Sequence, residues 1–468
     1  MAKFEHAVVL GGSVAGLLAA VSLSKHFEKV TIVDRDELPL EGDDARKPRR
    51  GVPQGTQIHH LLLLGKQKIE ALLPGFEQEL IDLGCERYDD AADFAQWANG
   101  AWRMRVRSGL QIIAFQRPLF EWAIRRRALA LPNVTAVKGL AAGLIGVEDG
   151  SRVIGAKVKG VEGGELYGDL VVDATGRGSR SPNWVEDLGY QRPEEQHLRI
   201  YMGYSTFTAR FPDGVLPKGL AGIMVTGSPA NPRGGSIRPA GNGLHDVVAY
   251  GMLKNYPPDS FDGVMEFFRN LDSPLVADFV KQAEVLSEVA PYQMPGNQRR
   301  LWERMSRRPE GFVVVGDAVT SFNPRYGQGM TMAALGATVL GDALERHDSI
   351  DGVADEVQQE LSPWADLAFS LAFALDSAYP EAEYENLEPP SARDKARSRA
   401  TTACQTEEAH VLIASKTTAL TMDQSYMAAP EVQATITEWV EQDRKPRPEV
   451  TDPLDPPAIT ERDIPAVA

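Results

Sequence analysis

The stretch Val8–Ala20, VVLGGSVAGLLAA, places a glycine-rich turn between a short apolar run and an apolar segment of helical character. Ala7–Leu10 predicts a buried strand, Leu17–Phe27 a helix and Lys29–Val33 a second buried strand. This strand–turn–helix–strand order is the unit from which dinucleotide-binding α/β folds are built. The segment therefore predicts an α/β fold with a parallel sheet near the start of the chain.

The turn departs at one position from the pattern G-x-G-x-x-G. Gly11 and Gly16 occupy the outer glycine positions, which serve the tight turn and the close helix packing. Ser13 occupies the middle position, and we expect it to be tolerated because serine is small and its hydroxyl can donate to a phosphate. Asp34 ends the second strand, where a carboxylate binds a ribose hydroxyl and disfavours NADP. These residues leave both NAD and FAD open.

A second glycine-rich motif lies about three hundred residues further on, in Val313–Thr331, VVVGDAVTSFNPRYGQGMT. A buried strand ends at Gly316-Asp317, so the carboxylate lies at the carboxyl end of a strand, where α/β folds bind ligands. A helix is predicted from Gly329 to Glu345, and its N-terminus favours an electron-rich group. The alternative is an ordinary loop with a capping aspartate. A simple NAD dehydrogenase has no evident need for this second motif.

In this order the motifs resemble those of the single-component (group A) FAD-dependent monooxygenases, and among them the actinobacterial polyether epoxidases of the monensin and lasalocid type. The resemblance covers roughly residues 5 to 345. It is carried by GVPQ preceded by Arg50, RPLFEW from Arg117, DATGRGSR from Asp173, NQRRLWERM and FNPRYGQGM. One departure is Thr175, which stands where aromatic hydroxylases have a second aspartate in a G-A-D-G segment.

The resemblance implies which residues bind FAD, although Arg50 is one choice from a basic run, Arg46–Arg50. The implied FAD-binding residues are Gly11, Ser13, Val14, Ala15, Gly16, Asp34, Arg35, Arg50, Arg117, Ala174, Thr175, Gly176, Gly316, Asp317, Pro324, Gly327, Gln328, Gly329 and Met330. Pro324 and Gly327 are expected near the site of flavin oxygen chemistry, and no catalytic residue is assigned. Tyr201, Tyr204, Phe207 and Met224 are candidates for an apolar substrate pocket, and equally good candidates for the core.

The activity implied is the insertion of one oxygen atom from O2, with NADPH or NADH as transient reductant and a flavin C4a-hydroperoxide as the oxygen donor. The expected reaction is epoxidation of an alkene in a large apolar natural product, a polyketide or terpenoid. Alternatives are an aromatic or polyketide hydroxylase of the same family, or a flavin reductase of the geranylgeranyl type. A halogenase is disfavoured because no W-x-W-x-I-P motif appears around Trp97 and Trp102. A flavin-fold binding protein without activity would be expected to lose the Gly316-Asp317 motif.

The domain prediction is a Rossmann-like FAD-binding domain of the glutathione-reductase type with an inserted, mainly antiparallel β-sheet substrate domain and a C-terminal helical region. The discontinuous FAD-binding domain is predicted from 1–85, 110–190 and 300–350, and the sheet domain from 86–109 and 191–299. The helical region is predicted over 351–442 and an extended tail, rich in proline and charge, over 443–468.

Composition limits the partners. The net charge of −16 argues against nucleic acid. Cys85 and Cys404 suggest neither a disulfide framework nor a metal site, and the histidines, among them His59, His60 and His245, lack metal-ligand spacing. No apolar run is long enough to span a membrane, and the N-terminus runs directly into the first strand without a secretory leader. We expect a cytoplasmic monomer or homodimer that binds a lipophilic small molecule.

Overall fold

The computed structural model describes residues 2–417, 424–452, 454 and 457. The strands are β1 (Phe4–Leu10), β2 (Phe27–Asp34), β3 (His60–Leu61), β4 (Glu86–Asp89), β5 (Phe94–Ala98), β6 (Ala101–Trp102), β7 (Gln111–Ala114), β8 (Val134–Lys138), β9 (Leu140–Gly146), β10 (Val153–Lys159), β11 (Glu165–Tyr167), β12 (Leu170–Asp173), β13 (Glu195–Arg210), β14 (Gly222–Val225), β15 (Arg233–Gly241), β16 (Leu244–Gly251), β17 (Glu284–Val285), β18 (Ala290–Arg300), β19 (Phe312–Val314), β20 (Thr320–Ser321) and β21 (Glu383–Glu385). The helices are α1 (Val14–Leu23), α2 (Leu63–Leu72), α3 (Phe76–Asp82), α4 (Asp90–Asp93), α5 (Arg117–Leu129), α6 (Ser181–Asp187), α7 (Phe261–Arg269), α8 (Leu275–Val280), α9 (Gly329–Arg346), α10 (Val353–Asp376), α11 (Ala392–Ala403), α12 (Glu408–Thr417), α13 (Gln424–Ala428) and α14 (Pro430–Glu441).

A parallel sheet in the order β19-β12-β1-β2-β8 forms the first layer. Its strands are short apolar runs, and Val8 and Val9 are completely buried, as expected for a sheet covered on both faces. The helices α1 and α9 pack together against it. The predicted helix Leu17–Phe27 is too long at its end, because α1 stops at Leu23 and Phe27 already pairs with Phe4 in the sheet.

A large, mainly antiparallel sheet forms the second layer, in the order β20-β18-β13-β16-β15-β14-β5-β6. Because side chains alternate along a strand, its two faces pack against different partners. One face is covered by α7 and α8, and Phe207 and Phe268 are in its core. The other face carries Tyr204 and Tyr250 and packs towards the turns of the parallel sheet. This second face forms one wall of the site described below.

Two smaller sheets link these layers, β11-β10-β9 and β3-β7-β4. Residues 86–89 pair with β7, although they were predicted with the substrate sheet, whereas residues 94–98 do join the large sheet through β14. The boundary between the two predicted domains therefore runs through a shared small sheet, and the domain limits remain a prediction.

The helix α10 packs along α9 and reaches β18 with its C-terminal half. Within the predicted tail, Arg444 Nη1 lies 3.2 Å from Glu407 Oε1, and the Thr451 hydroxyl donates to the Trp102 carbonyl at 2.9 Å. Residues 443–452 are therefore held against the body of the protein, and the rest of the predicted tail is largely outside the described residues. Within the described part of the chain, no helix combines the length and apolar character needed to cross a membrane. The same residues contain no cluster of three or more His, Cys, Asp or Glu side chains arranged to hold a metal.

Candidate functional site

The glycine turn after β1 is fixed by two close backbone approaches. Gly11 has φ +103°, and a Cβ there would lie 2.5 Å from the Ala174 carbonyl oxygen. A Cβ at Gly16 would lie 1.8 Å from the Gly11 carbonyl oxygen, so neither position accepts a side chain. The turn is thereby pressed against the end of β12 and opens the N-terminus of α1, whose first N–H groups favour an anion.

Ser13, the exception in the glycine pattern, directs its hydroxyl towards α5. Ser13 Oγ donates to Glu121 Oε2 at 2.8 Å and accepts from Arg117 Nη2 at 3.0 Å. It therefore ties the turn to α5 and makes no cap bond to the α1 backbone. Val14 and Ala15, which follow Ser13, were also predicted to bind FAD. Val14 lies in the core, and the Ala15 Cβ faces Gly316.

Asp34 fixes the turn from the end of β2. Its Oδ2 accepts the Gly12 N–H at 2.6 Å, and its Oδ1 accepts the Asp36 N–H at 2.8 Å and Arg49 Nη1 at 3.1 Å. A carboxylate has about four acceptor sites, so one remains for a ribose hydroxyl. Arg35 points away from this turn and donates to the Arg50 carbonyl at 3.2 Å.

Arg49, and not Arg50, is the residue of the basic run that reaches the turn. Its side chain is 8% exposed and makes an ion pair of 2.6 Å with Glu121 as well as the one with Asp34. Arg50 is exposed, and its recorded contact is through its carbonyl. The structure thus places Arg49 at the turn, and the contact of Arg50 with the cofactor stays a prediction. A run of similar cations contains no sequence signal that distinguishes its member nearest the turn.

Arg117 and Glu121 lie one turn apart on α5 and form an ion pair. Arg117 Nη2 is 3.0 Å from Glu121 Oε2. Burial opposes the charge of Glu121, but the Arg117 and Arg49 guanidinium groups hold the pKa of this carboxyl below its usual range. Arg117 Nη1 is buried without a hydrogen-bond partner in the described structure. The i, i+4 spacing of Arg117 and Glu121 was the available sequence signal for Glu121, which is not among the predicted site residues.

Three strand-terminal turns meet at the carboxyl edge of the parallel sheet. Gly316, with φ +63°, lies close enough to α1 that a Cβ would be 2.9 Å from the Ala15 Cβ. A Cβ at Gly329 would be 3.4 Å from Asp317 Oδ1, and one at Gly176 would be 4.0 Å from the Asp317 Cβ. The turn after β12 and the N-terminus of α9 therefore lie beside Asp317, and α1 lies beside the preceding Gly316.

Asp317 is the chemically exceptional member of this group. No hydrogen bond to its carboxylate is recorded in the described part of the chain, whereas Asp173 beneath it binds Thr175, Ser179 and Ser181. Burial raises the pKa of Asp317, and Arg177 and Arg117 partly oppose this shift. Asp317 is half-buried, and its carboxylate is free to accept hydrogen bonds from a ligand.

The turn before α9 forms the far end of the site. Gly327 has φ +67°, and a Cβ there would lie 2.7 Å from His60 Nε2. Burial and the nearby Arg238 lower the pKa of His60 to about 3, so its imidazole is neutral. Gln328 Oε1 is buried without a partner in the described structure, whereas Met330 packs into the core.

The four predicted pocket residues are not brought together. The Tyr204 hydroxyl donates to Asn323 Oδ1 at 2.7 Å, which places it beside Pro324, and Met224 packs near Phe94 on the same sheet face. Phe207 lies on the opposite face, in the core under α7, because it is an odd number of residues from Tyr204 along β13. Tyr201 donates to Glu383 at 2.6 Å and stands apart from the turn.

These features fit a dinucleotide with a flavin-like extension. The α1 N-terminus and Arg117 Nη1 offer unused donors, Asp317 offers an unused acceptor, and Gln328 offers a further unpaired group at the α9 end. All of them lie along the carboxyl edge of a parallel sheet, where such ligands bind.

Comparison with known proteins gives one relative in sequence and several in structure. No protein-family model matches the chain. Protein Rv3254 of Mycobacterium tuberculosis is 32% identical over 356 residues, which cover 74% of each chain.

Among solved structures, the flavin-dependent brominase Bmp2 superposes with a TM-score of 0.61 at 13% identity, over 93% of both chains. PqsL of Pseudomonas aeruginosa, a probable FAD-dependent monooxygenase, gives 0.60 at 16% identity, over 80% of this chain and 97% of that chain. A 2-methyl-3-hydroxypyridine-5-carboxylic acid oxygenase, in a tetrameric form, gives 0.54 at 17% identity, over 79% of this chain and 90% of that chain. The predicted mixed α/β fold with parallel and antiparallel sheets is confirmed, and it is a fold shared with flavin-dependent oxygenases.

Proposed function

The chain belongs to the same family as the mycobacterial protein Rv3254, and from the geometry of its site and the fold it shares with flavin-dependent oxygenases we propose that it is an FAD-dependent monooxygenase. The observation that carries the proposal is the meeting of α1, the turn after β12 and the N-terminus of α9 at Gly316-Asp317, where the Asp317 carboxylate accepts no hydrogen bond from the described residues. An ordinary capping aspartate would instead bind the N–H groups of its own turn, as Asp173 does.

We assign the parallel-sheet part of the chain to a glutathione-reductase-type FAD-binding domain. In this assignment the Gly11–Gly16 turn holds the pyrophosphate with the N–H groups of α1, and Asp34 accepts a ribose hydroxyl at its remaining site. Arg117 Nη1 donates to the cofactor, and Asp317 accepts from ribityl hydroxyls. The turn from Pro324 to Gly329 holds the flavin edge, with the neutral His60 beside it.

Bound FAD would supply the reduction of O2 and the transfer of one oxygen atom, with NADH or NADPH as the electron source. The chain's own contribution is to bind, orient and exclude water. The wall formed by β13, β16 and β15 covers the flavin end of the site, and Tyr204 and Asn323 lock this wall to the turn before α9. Exclusion of water is what such chemistry requires of the protein.

Within this class we propose epoxidation of an alkene in a polyketide or terpenoid intermediate. Support comes from the polyether-epoxidase motifs of the sequence, which include the turns that surround the site. Oxygen transfer to an alkene needs no general base, so no residue of the wall has to act as one. A cytoplasmic location and a monomeric or dimeric state belong to the same proposal.

A second candidate, hydroxylation of an aromatic ring, is favoured by Asp246. This residue lies on the same face of β16 as Tyr250, and burial raises the pKa of its carboxyl to about 7. A carboxyl that titrates near neutrality is suited to taking the proton of a phenol, which activates the ring towards an electrophilic oxygen. Aromatic hydroxylation by this route requires a phenol bound next to Asp246, whereas epoxidation does not.

The test is to purify the full chain, record its absorbance spectrum, and identify the flavin released on denaturation. Oxygen uptake and NADH or NADPH oxidation are then measured with lipophilic alkenes and with phenols, and product masses are determined. A gain of one oxygen atom supports the proposal, and the alkene or phenol that gains it selects between the two reactions. Absence of FAD after reconstitution contradicts the cofactor assignment, and saturation of an alkene without O2 identifies a flavin reductase instead.

A further inference from the structure

Arg325 extends from the turn before α9 to the wall formed by the large sheet. It is the middle residue of the single 3-10 turn Pro324–Tyr326. The centre of its guanidinium lies 5.4 Å from the centre of the Tyr326 ring and 6.0 Å from that of the Tyr250 ring. The side chain therefore lies between the proposed flavin-edge turn and the large sheet.

No carboxylate forms an ion pair with Arg325 in the described residues. Asp376 is nearby, but its oxygens already accept from Asn297 Nδ2 at 2.7 Å, from Asn323 Nδ2 at 3.4 Å and from the Tyr326 hydroxyl. The Tyr379 hydroxyl faces Arg325 with its oxygen, while its proton is donated to the Gly227 carbonyl at 2.9 Å. Several guanidinium donors of Arg325 are therefore left for a ligand.

Several other arginines of the interior pair with a carboxylate, although Arg177 binds the Gly296 carbonyl and the Ser321 hydroxyl instead. Arg49 pairs with Asp34 and Glu121, Arg238 with Asp90, Arg299 with Glu303, and Arg300 with Glu195. Burial opposes the charge of Arg325, yet the surrounding phenols and Asp376 keep its pKa above the usual range. The guanidinium is thus permanently charged and held by rings instead of by a counter-ion.

We propose that Arg325 is a specificity-determining residue that binds a carboxylate group of the substrate between Tyr250 and the turn before α9. A planar guanidinium with free donors matches a carboxylate with two parallel hydrogen bonds, and this match is strongest where water is excluded. The inference rests on the proposed function, because it places the reacting part of an acidic substrate beside the flavin edge. The expected substrate then changes from a purely lipophilic molecule to an amphiphilic acid.

The test compares matched acids and amides that differ only in charge. Benzoate and benzamide, and sorbate and sorbamide, are titrated by calorimetry into the purified full-length protein, which needs no turnover. We expect wild-type protein to bind at least one acid about tenfold or more tightly than its amide. Arg325→Met should abolish this preference, and Arg325→Lys should keep part of it because the charge remains.

The matched control is Arg307→Met. Arg307 also stands over a tyrosine, 4.3 Å from the Tyr190 ring, but it is exposed and away from the sheet wall. The control should bind the acids as the wild type does, and thermal unfolding of every variant checks that it is folded. Equal affinity for acids and amides in the wild type, or an unchanged preference in folded Arg325→Met, overturns the proposal. FAD content and oxygen uptake are measured separately, so failure of the monooxygenase assignment is recognised independently.

Discussion

The Tyr326 hydroxyl donates a hydrogen bond to Asp376 Oδ1, and this contact joins the turn before α9 to the last residue of α10. Asp376 is completely buried, and its other oxygen accepts from Asn297 and Asn323. The C-terminal helical region therefore takes part in the site by fixing the geometry of the Asn323–Tyr326 turn. Asp376 is a positioning residue, because its recorded contacts are with the residues that form the turn and the neighbouring strand.

Asp376→Ala should destabilise the protein and weaken FAD binding together. The substitution leaves the donors of Asn297, Asn323 and Tyr326 buried without an acceptor, at a cost of about 3 kcal/mol or more. Urea unfolding measures the stability, and fluorescence of released flavin measures FAD retention. Glu360→Gln, a half-exposed change on the same helix, should alter neither quantity. Full FAD retention in a destabilised Asp376→Ala protein would show that the turn is held by other contacts.

Asp317→Ala should lose FAD without losing stability. The carboxylate has no recorded donor in the described structure and burial raises its pKa, so its charged form is a cost to the cofactor-free fold. We expect FAD affinity to fall by about tenfold or more, as for the loss of charge-assisted hydrogen bonds. The unfolding midpoint of the cofactor-free protein should stay the same or rise.

Fluorescence titration with FAD and thermal unfolding of the FAD-free protein measure the two effects of Asp317→Ala separately. Asp342→Ala, an exposed change on α9, is the matched control. An Asp317→Ala protein that binds FAD normally refutes the ribityl assignment. A large loss of cofactor-free stability would instead make Asp317 a structural residue.

Local motifs made the parallel sheet and its turns predictable from sequence. Gly16 is required by a contact within its own turn, Gly11 by its positive φ as well as by the approach of Ala174, and Asp317 follows directly from the strand that carries it. Such signals are contained in a few neighbouring residues, so they can be interpreted without knowing which distant parts of the chain pack against the turn.

Residues whose role depends on distant partners were missed. Asp376 meets Tyr326 across 50 residues of sequence, and nothing in the apolar pattern of α10 marks it. Phe207 and Tyr204 are both bulky aromatic residues in one strand, and only the sheet's packing decides which of its faces borders the site. Tertiary packing, not local chemistry, determined these assignments.

Arg49→Met and Arg50→Met form a pair of adjacent variants with opposite expected outcomes. Arg49→Met leaves Asp34 without its buried cation and removes one of the cations that pair with Glu121, which should cost about 3 kcal/mol of stability and weaken FAD binding by disordering the Gly11–Gly16 turn. Arg50→Met removes an exposed side chain and should change stability by less than about 0.5 kcal/mol. Chemical unfolding and FAD titration compare the two. Equal effects would mean that the basic run acts only through its total charge.

Asp246 should make the stability of the protein fall as the pH rises towards neutrality. Burial raises the pKa of its carboxyl from 3.8 to about 7, with the Thr208 hydroxyl at 3.1 Å from Oδ1 as a weak counteracting donor. Because the pKa of Asp246 is raised in the folded state, the stabilising contribution of its neutral carboxyl is complete at pH values below the pKa in the unfolded chain. That contribution is lost between about pH 4 and about pH 7, and about 4 kcal/mol is its upper limit.

Asp246→Asn cannot ionise and should remove this pH dependence. Its amide oxygen can still accept from Thr208, so the variant should be more stable than the wild type at about pH 8.5 and closer to it at about pH 6. Urea unfolding at both pH values gives the difference directly. Asp213→Asn, a change at an exposed carboxyl, controls for the loss of one negative charge. A stability difference between wild type and Asp246→Asn that is the same at both pH values would show that the buried carboxyl does not titrate in this range.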